Sequence, residues 1–226
     1  MILLGLVKFF LCYNYCGDFM KIMEPKVSKV FEYNLVDAVN ESYFNNMIFS
    51  GDYFDLEIND VTFDSCIFKE IDFNNIKLSN IEFIDVVFEN CDLSNKKINN
   101  TLIQRVKFVN CKMIGVSFIG SSIQDVVFES CVSKYINFSS ARINKMMVSD
   151  SDFSEMYFQE TFIKELEFND VDLSGSEISK TSLRGIDVST CKIEGLIIDF
   201  ESLQGLVIDR FQSIDLVGLL GVKIKN

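Results

Sequence analysis

Histidine and tryptophan are absent from this 226-residue chain, and proline occurs once, at Pro25. Without histidine there is no Ser-His or Cys-His pair to activate a nucleophile, and zinc loses its commonest nitrogen ligand. No two cysteines stand in Cys-x-x-Cys spacing, and no Walker or dinucleotide glycine motif is present. Seven cysteines is an odd number without extracellular spacing logic, so reduced thiols in a cytoplasmic chain are the expectation. Basic residues are scarce as well. Lys and Arg total 21 against 33 Asp and Glu, a formal net charge of −12. Such a surface does not suit direct binding of nucleic acid, whose phosphates require Lys and Arg, and instead suits a partner with a basic surface.

What is present is a period. From Ile58 through Phe63, Phe68, Phe73, Leu78, Phe83 and Phe88 to Leu203 and Ile208, every fifth residue is apolar, and only Ser133 breaks the series. Five matches neither the 3.6 of a helix nor the 2 of a strand, so the chain must turn a corner every five residues to keep one side chain inward. The position two before each centre is also inward in character, as at Val61, Cys66, Ile71, Ile76, Val86, Cys91, Val106 and Cys111. The other three are mostly Asp, Glu, Asn, Ser, Lys and Gly. A longer period of twenty shows in VVFENC at 86–91, VKFVNC at 106–111 and VVFESC at 126–131. Two inward and three outward residues per five resembles the pentapeptide-repeat family, which implies an all-β, right-handed quadrilateral parallel β-helix with four five-residue sides per coil.

In that fold the core is a set of vertical ladders. Phe68, Phe88, Phe108 and Phe128, followed by Val148 and Phe168, are expected to stack on successive coils. Cys91, Cys111 and Cys131, with Cys191 further along, form a second ladder. Side chains projecting in parallel do not give the crossed geometry of a disulfide, so they read as small hydrophobes. Ser133, at a centre, is expected to need a backbone partner for its hydroxyl. Phe44, Phe49 and Phe54 are also five apart, but the four-residue step to Ile58 places an irregularity there. About eight coils from Ser42 to Asp209 give a rod roughly 40 Å long at ~4.8 Å per coil. The expected divisions are an N-terminal cap or extension over 1–40, the β-helix over 41–210, and a tail over 211–226. Three readings of Met1 to Tyr15 stand: an apolar cap on the first coil, a membrane anchor, or a dispensable stretch ahead of a start at Met20 or Met23.

The tail leaves the period. Phe211, Ile214, Val217 and Leu220 or Leu216 follow at helical spacing, Gly221 can stop a helix, and Val222 and Ile224 alternate as a strand. Leu203-Gln204-Gly205, Ile208-Asp209, Phe211-Gln212-Ser213 and Leu219-Leu220-Gly221-Val222-Lys223-Ile224 together resemble the C-terminus of Qnr-type quinolone-resistance proteins. The run from Ser42 to Gly51 is similar to that family's first coil. This resemblance implies a short helix and strand forming a two-fold dimer interface through Phe211, Ile214, Leu216, Val217, Leu219, Leu220, Val222 and Ile224. It also implies a DNA-mimicking protein that binds DNA gyrase and topoisomerase IV and protects them from quinolones or modulates them. The Gram-negative members carry projecting loops needed for protection, and this uninterrupted register has no room for them, so protection and inhibition both stay open.

Charge placement bears on that implication. The side centred on Phe68 and Phe88 carries Glu70, Glu89, Glu129, Asp150, Glu167, Asp170, Asp187 and Asp209 against Lys69, Lys107 and Arg210, and its neighbour centred on Phe73 and Leu93 carries Asp72, Asp92, Asp152, Glu155, Asp172 and Glu194 against Lys112, Lys134 and Lys192. These acids, Asp209 aside, are the candidate partner-binding residues. The side centred on Phe63 instead balances Asp64, Glu82, Asp85, Asp125 and Glu165 with Arg105, Arg142, Lys145, Lys164 and Arg184. Acids on a convex rod lack the desolvated pocket that tunes a catalytic pKa, so neither catalysis nor a cofactor or metal is expected. The rival reading is a structural or adaptor solenoid for another basic protein.

Overall fold

The computed structural model describes residues 20–36 and 41–222. The chain is a parallel β-solenoid of about eight turns. Pairing runs from each residue to the one twenty later: Phe83 with Ile103, Phe88 with Phe108, Ile103 with Ile123, Phe108 with Phe128. The corner that the five-residue period demands is made by a left-handed residue two after the centre, with φ of 54° at Asp85, 62° at Asn95, 52° at Arg105 and 68° at Gly115. This explains why Asn, Asp and Gly recur there, since short polar side chains and glycine enter that region at least cost.

Corners come in two kinds. Between the sides centred on residues such as Ile103 and Phe108 the strand bends and continues, giving Leu102–Val109, Ser122–Glu129, Arg142–Ser149 and Phe162–Asn169. At two of the other corners a turn closes on itself: the Lys96 N–H donates to the Leu93 carbonyl at 3.1 Å and the Ser121 N–H to the Phe118 carbonyl at 3.1 Å. Stacking tightens these corners. A Cβ at position 120 would lie 2.5 Å from Asn100 Oδ1, so with glycine there the asparagine side chain of the coil below keeps its place.

The ladders form as expected. Phe68, Phe88, Phe108 and Phe128 stack at 4.9 Å with rings within 12° of parallel, and Phe49 extends the column at 5.0 Å. Cys91, Cys111 and Cys131 are free and buried, each thiol facing the carbonyl of Phe68, Phe88 or Phe108 at 3.5 Å. Burial pushes the Cys66 thiol up to about 11. Ser133 departs from expectation, because it is fully buried and its hydroxyl has no hydrogen-bond partner among the described residues.

The phase irregularity resolves at the first complete coil. Phe44 pairs with Phe63 and Phe49 with Phe68, nineteen residues apart, whereas Leu56 pairs with Ile76 at twenty. The missing residue is absorbed by expelling Phe54, which is 77% exposed and not inward as the spacing of Phe44 and Phe49 implied. Tyr53 turns in instead, its hydroxyl donating to the Ser50 carbonyl at 2.8 Å and accepting from the Leu35 N–H at 3.3 Å. The strand Phe31–Glu32 pairs with Met47 and Ile48, ahead of that coil. Met1 to Tyr15 lies outside the described residues, and no helix among the described residues is long and apolar enough to cross a membrane.

Two short helices end the rod: α1, Phe200–Leu203, capped by the Asp199 carboxylate accepting from the Ser202 N–H, and α2, Gln212–Val217. A tight 3₁₀ turn over Gly218–Leu220 follows and stops at Gly221, whose φ of 72° is the left-handed stop expected there.

Candidate functional site

All thirteen candidate acids are at least partly exposed on two neighbouring sides of the rod. On one side the repeat places Asp72, Asp92, Lys112, Val132, Asp152, Asp172 and Lys192 in one line, each bridged to the next coil. Like charges stacked so closely repel, and local chemistry offsets this. Asp92 pairs with Lys112 at 2.9 Å, and Asp172 with Lys192 at 3.6 Å. These aspartates also accept main-chain N–H groups two residues on: Asn74 to Asp72 at 2.8 Å, Ser94 to Asp92 at 2.9 Å, Ser154 to Asp152 at 3.0 Å and Ser174 to Asp172 at 3.0 Å. Burial alone would raise the Asp172 pKa, but the bonds from Ser174 and the Lys192 ammonium outweigh it and hold the carboxyl below its usual range.

Part of the acidity is therefore structural, since each such Asp closes an Asx turn at the corner. The signal was present in the sequence as Asp-apolar-Ser or Asp-apolar-Asn at these positions, read there only as surface charge. Glu129 pairs with Lys107 at 2.7 Å and Glu155 with Lys134 at 3.9 Å. Glu70, Asp72, Glu89, Asp150, Asp152, Glu167, Asp170, Asp187 and Glu194 have no ion-pair partner within 4.0 Å among the described residues. Asp150, Asp152, Asp170 and Asp172 converge around a shallow recess where the two acidic sides meet, beside Thr190 and Lys192.

The balanced side differs from its sequence reading. Asp85 and Asp125, counted there as outward, are 5% and 2% exposed. Arg105 grips Asp85 with two bonds of 2.6 Å, and Lys145 pairs with Glu165 at 3.3 Å. Burial by itself would raise the Asp85 pKa, but the Arg105 guanidinium and the Lys26 N–H more than reverse it.

At the C-terminal end Gln212 is the residue that spacing did not single out. Its Nε2 donates to the Val188 and Cys191 carbonyls, each at 2.7 Å, while Oε1 accepts from the Asp209 N–H at 2.9 Å. Buried, it satisfies the Cys191 carbonyl, which a further coil would otherwise pair, and adds to the bond that the Val188 carbonyl accepts from the Cys191 N–H at 2.9 Å. Leu216 packs onto the core and Val217 is half-buried, so these two are not presented outward. Phe211, Ile214, Leu219 and Val222 are exposed, the Arg210 guanidinium lying 4.5 Å from the Phe211 ring centre. The Leu220 side chain and Ile224 lie outside the described residues.

Corners every five residues, four sides per coil and inward pairs at the centre and two before it define a pentapeptide-repeat solenoid. Residues 81–146 match the family model described as a pentapeptide repeat region. No curated protein matches it in sequence. Among solved structures it is similar to a trypsin-treated variant of QnrB1, a plasmid-mediated fluoroquinolone resistance protein, at 19% identity over 87% of this chain and 98% of that one, with a TM-score of 0.43. Full-length QnrB1 matches at 19% identity over 76% of this chain and 100% of that chain, TM-score 0.32. Rfr23, a pentapeptide repeat protein from the cyanobacterium Cyanothece 51142, matches at 9% identity over 52% of this chain and 91% of that chain, TM-score 0.29.

Proposed function

We propose that this protein is a Qnr-like, DNA-mimicking rod that binds DNA gyrase and topoisomerase IV through its two acidic sides, without catalysing a reaction of its own. The observation that carries this reading is the arrangement of carboxylates. Glu70 and Glu89 project from one pair of adjacent coils and Asp150 and Asp170 from another pair beyond two intervening coils, with no counter-ion among the described residues, so they are available to a basic partner. A rod with negative groups repeating along it offers a DNA-binding saddle the charge pattern of a duplex. The Phe211-Gln212-Ser213 and Leu219-to-Ile224 sequences, similar to the Qnr C-terminus, favour this partner over an unrelated basic protein.

In the same reading two copies join end to end through the exposed Phe211, Ile214, Leu219 and Val222, which bury their apolar surface against the partner rod. The deciding experiment is a gyrase supercoiling assay with and without a quinolone, paired with a pull-down at low salt. Retention of gyrase or topoisomerase IV is the expected result. Failure to retain either one would favour the adaptor reading, and the supercoiling assay separates protection from inhibition.

A further inference from the structure

Before it enters its first coil, the chain runs lengthwise over the balanced side of the rod. The outward residues at one corner of this side are Asp85, Arg105, Asp125, Lys145 and Glu165, one per coil and alternating in sign. The Lys145 ammonium donates to the Lys21 carbonyl at 3.2 Å, the Met23 N–H donates to Asp125 Oδ1 at 3.0 Å, and the Lys26 N–H donates to Asp85 Oδ1 at 2.8 Å. All three bonds engage the main chain of the segment. Five extended residue steps reach roughly 17 Å, and three coils occupy roughly 14 Å, so the bonds fall in register with the repeat.

Asp125 is the informative member. Its neighbours in the column are committed elsewhere, Arg105 to Asp85 and Lys145 to Glu165. Although its carboxylate is almost fully buried, its only hydrogen-bond partner among the described residues is the Met23 N–H. A buried carboxylate needs such a donor. The segment brings little else, since no side chain from Met20 to Val30 is buried.

We propose that the column Asp85, Arg105, Asp125 and Lys145 is a binding site for an extended peptide main chain, occupied by residues 21–26 of the same chain as a reversible strap. Carboxylates receive N–H groups and an ammonium meets a carbonyl, so the site reads backbone, not side chains. Few buried apolar contacts hold the strap, so it opens without unfolding the coils beneath. The site is separate from the acidic sides and does not depend on the topoisomerase reading.

The test uses the full chain, with amide hydrogen exchange across residues 20–30 and tryptic cleavage after Lys21 and Lys26. In the wild type the Met23 and Lys26 amides should exchange at least tenfold more slowly than those of Ile22 and Glu24. Asp125→Gly removes the acceptor while suiting the left-handed corner, where φ is 54°. Met23→Pro removes the donor and leaves every rod residue in place. Each should accelerate cleavage at least tenfold with the thermal midpoint of the solenoid nearly unchanged. A labelled synthetic peptide spanning Met20 to Lys29 should then bind the Met23→Pro protein one to one, and bind it no longer once Asp125→Gly is added. Should Asp125→Gly unfold the rod, the Met23→Pro protein alone decides. Cleavage and exchange at the wild-type rate in that variant would overturn the proposal, as would a wild type whose Met23 and Lys26 amides are unprotected.

Discussion

At the scale of single residues, the repeat converts small changes into measurable ones because every inward side chain is pressed between two copies of its own environment. Phe108 lies between Phe88 and Phe128 at 4.9 Å on both sides, and hydrogen-bonded coils cannot collapse into the gap left by its removal. Phe108→Ala is expected to cost about 3–5 kcal/mol, read from urea denaturation. The opposite outcome is expected at Ser133, whose buried hydroxyl has no partner among the described residues. Ser133→Ala removes that desolvated group and should stabilise by about 1 kcal/mol; a lower urea midpoint would count against it. Asp85 adds a pH signature. Its folded pKa lies below the ordinary value, so the stability it contributes is full above the unfolded carboxylate pKa of about 3.9 and disappears as pH falls through the lower folded value. Asp85→Asn should flatten that part of the acid-unfolding curve, monitored by circular dichroism.

At the scale of elements, the two ends obey different chemistry from the middle. A central side has its main-chain groups paired with the coils above and below, whereas the last coil has no successor. Gln212 substitutes for it by bonding to the Val188 and Cys191 carbonyls. Gln212→Ala is expected to cost about 1–3 kcal/mol by orphaning the Cys191 carbonyl, the Val188 carbonyl keeping its bond from the Cys191 N–H at 2.9 Å, and to loosen α2 so that its amides exchange sooner than those of the central strands. The helical spacing of Phe211, Ile214 and Val217 in the sequence located an element there but did not show that Gln212 and Leu216 hold it down. Periodicity records which residues are apolar and says nothing about which carbonyls are left unpaired. The strap was equally invisible, because contacts made by main-chain atoms leave no pattern in side-chain identity.

At the scale of the whole molecule, the predictions concern charge and assembly. The carboxylates that close corner turns, among them Asp152 and Asp172, confound any charge-reversal experiment, because replacing them also disturbs the fold. Asp85 and Asp125 are poor controls for the same reason, being buried. The informative combination is Glu89→Lys, Glu167→Lys, Asp150→Asn and Asp170→Asn, with Glu82→Lys on the balanced side as the control. The first set should abolish a salt-sensitive interaction with gyrase in a pull-down, and the control should leave it largely intact. Equal loss from both would remove the case for a specific docking side. Light scattering at micromolar concentration should give a dimer for the wild type and a monomer for Phe211→Lys combined with Ile214→Lys, both positions exposed in the single chain.

By itself the sequence determined a corner every five residues, a repeat of twenty, the ladders and the uneven spread of acids, because a period of five keeps a side chain inward only if the chain turns that often; the four-sided β-helix came from the family that this pattern resembles. The Phe68-to-Phe128 column and the buried cysteines followed from spacing alone. Only the tertiary structure decided which acids are free and which close turns, which of two apolar candidates, Tyr53 or Phe54, turns inward at the short coil, and where the segment before the first coil lies. Those outcomes depend on hydrogen bonds to main-chain atoms and on distances between coils, and neither is encoded in the identity of any single residue.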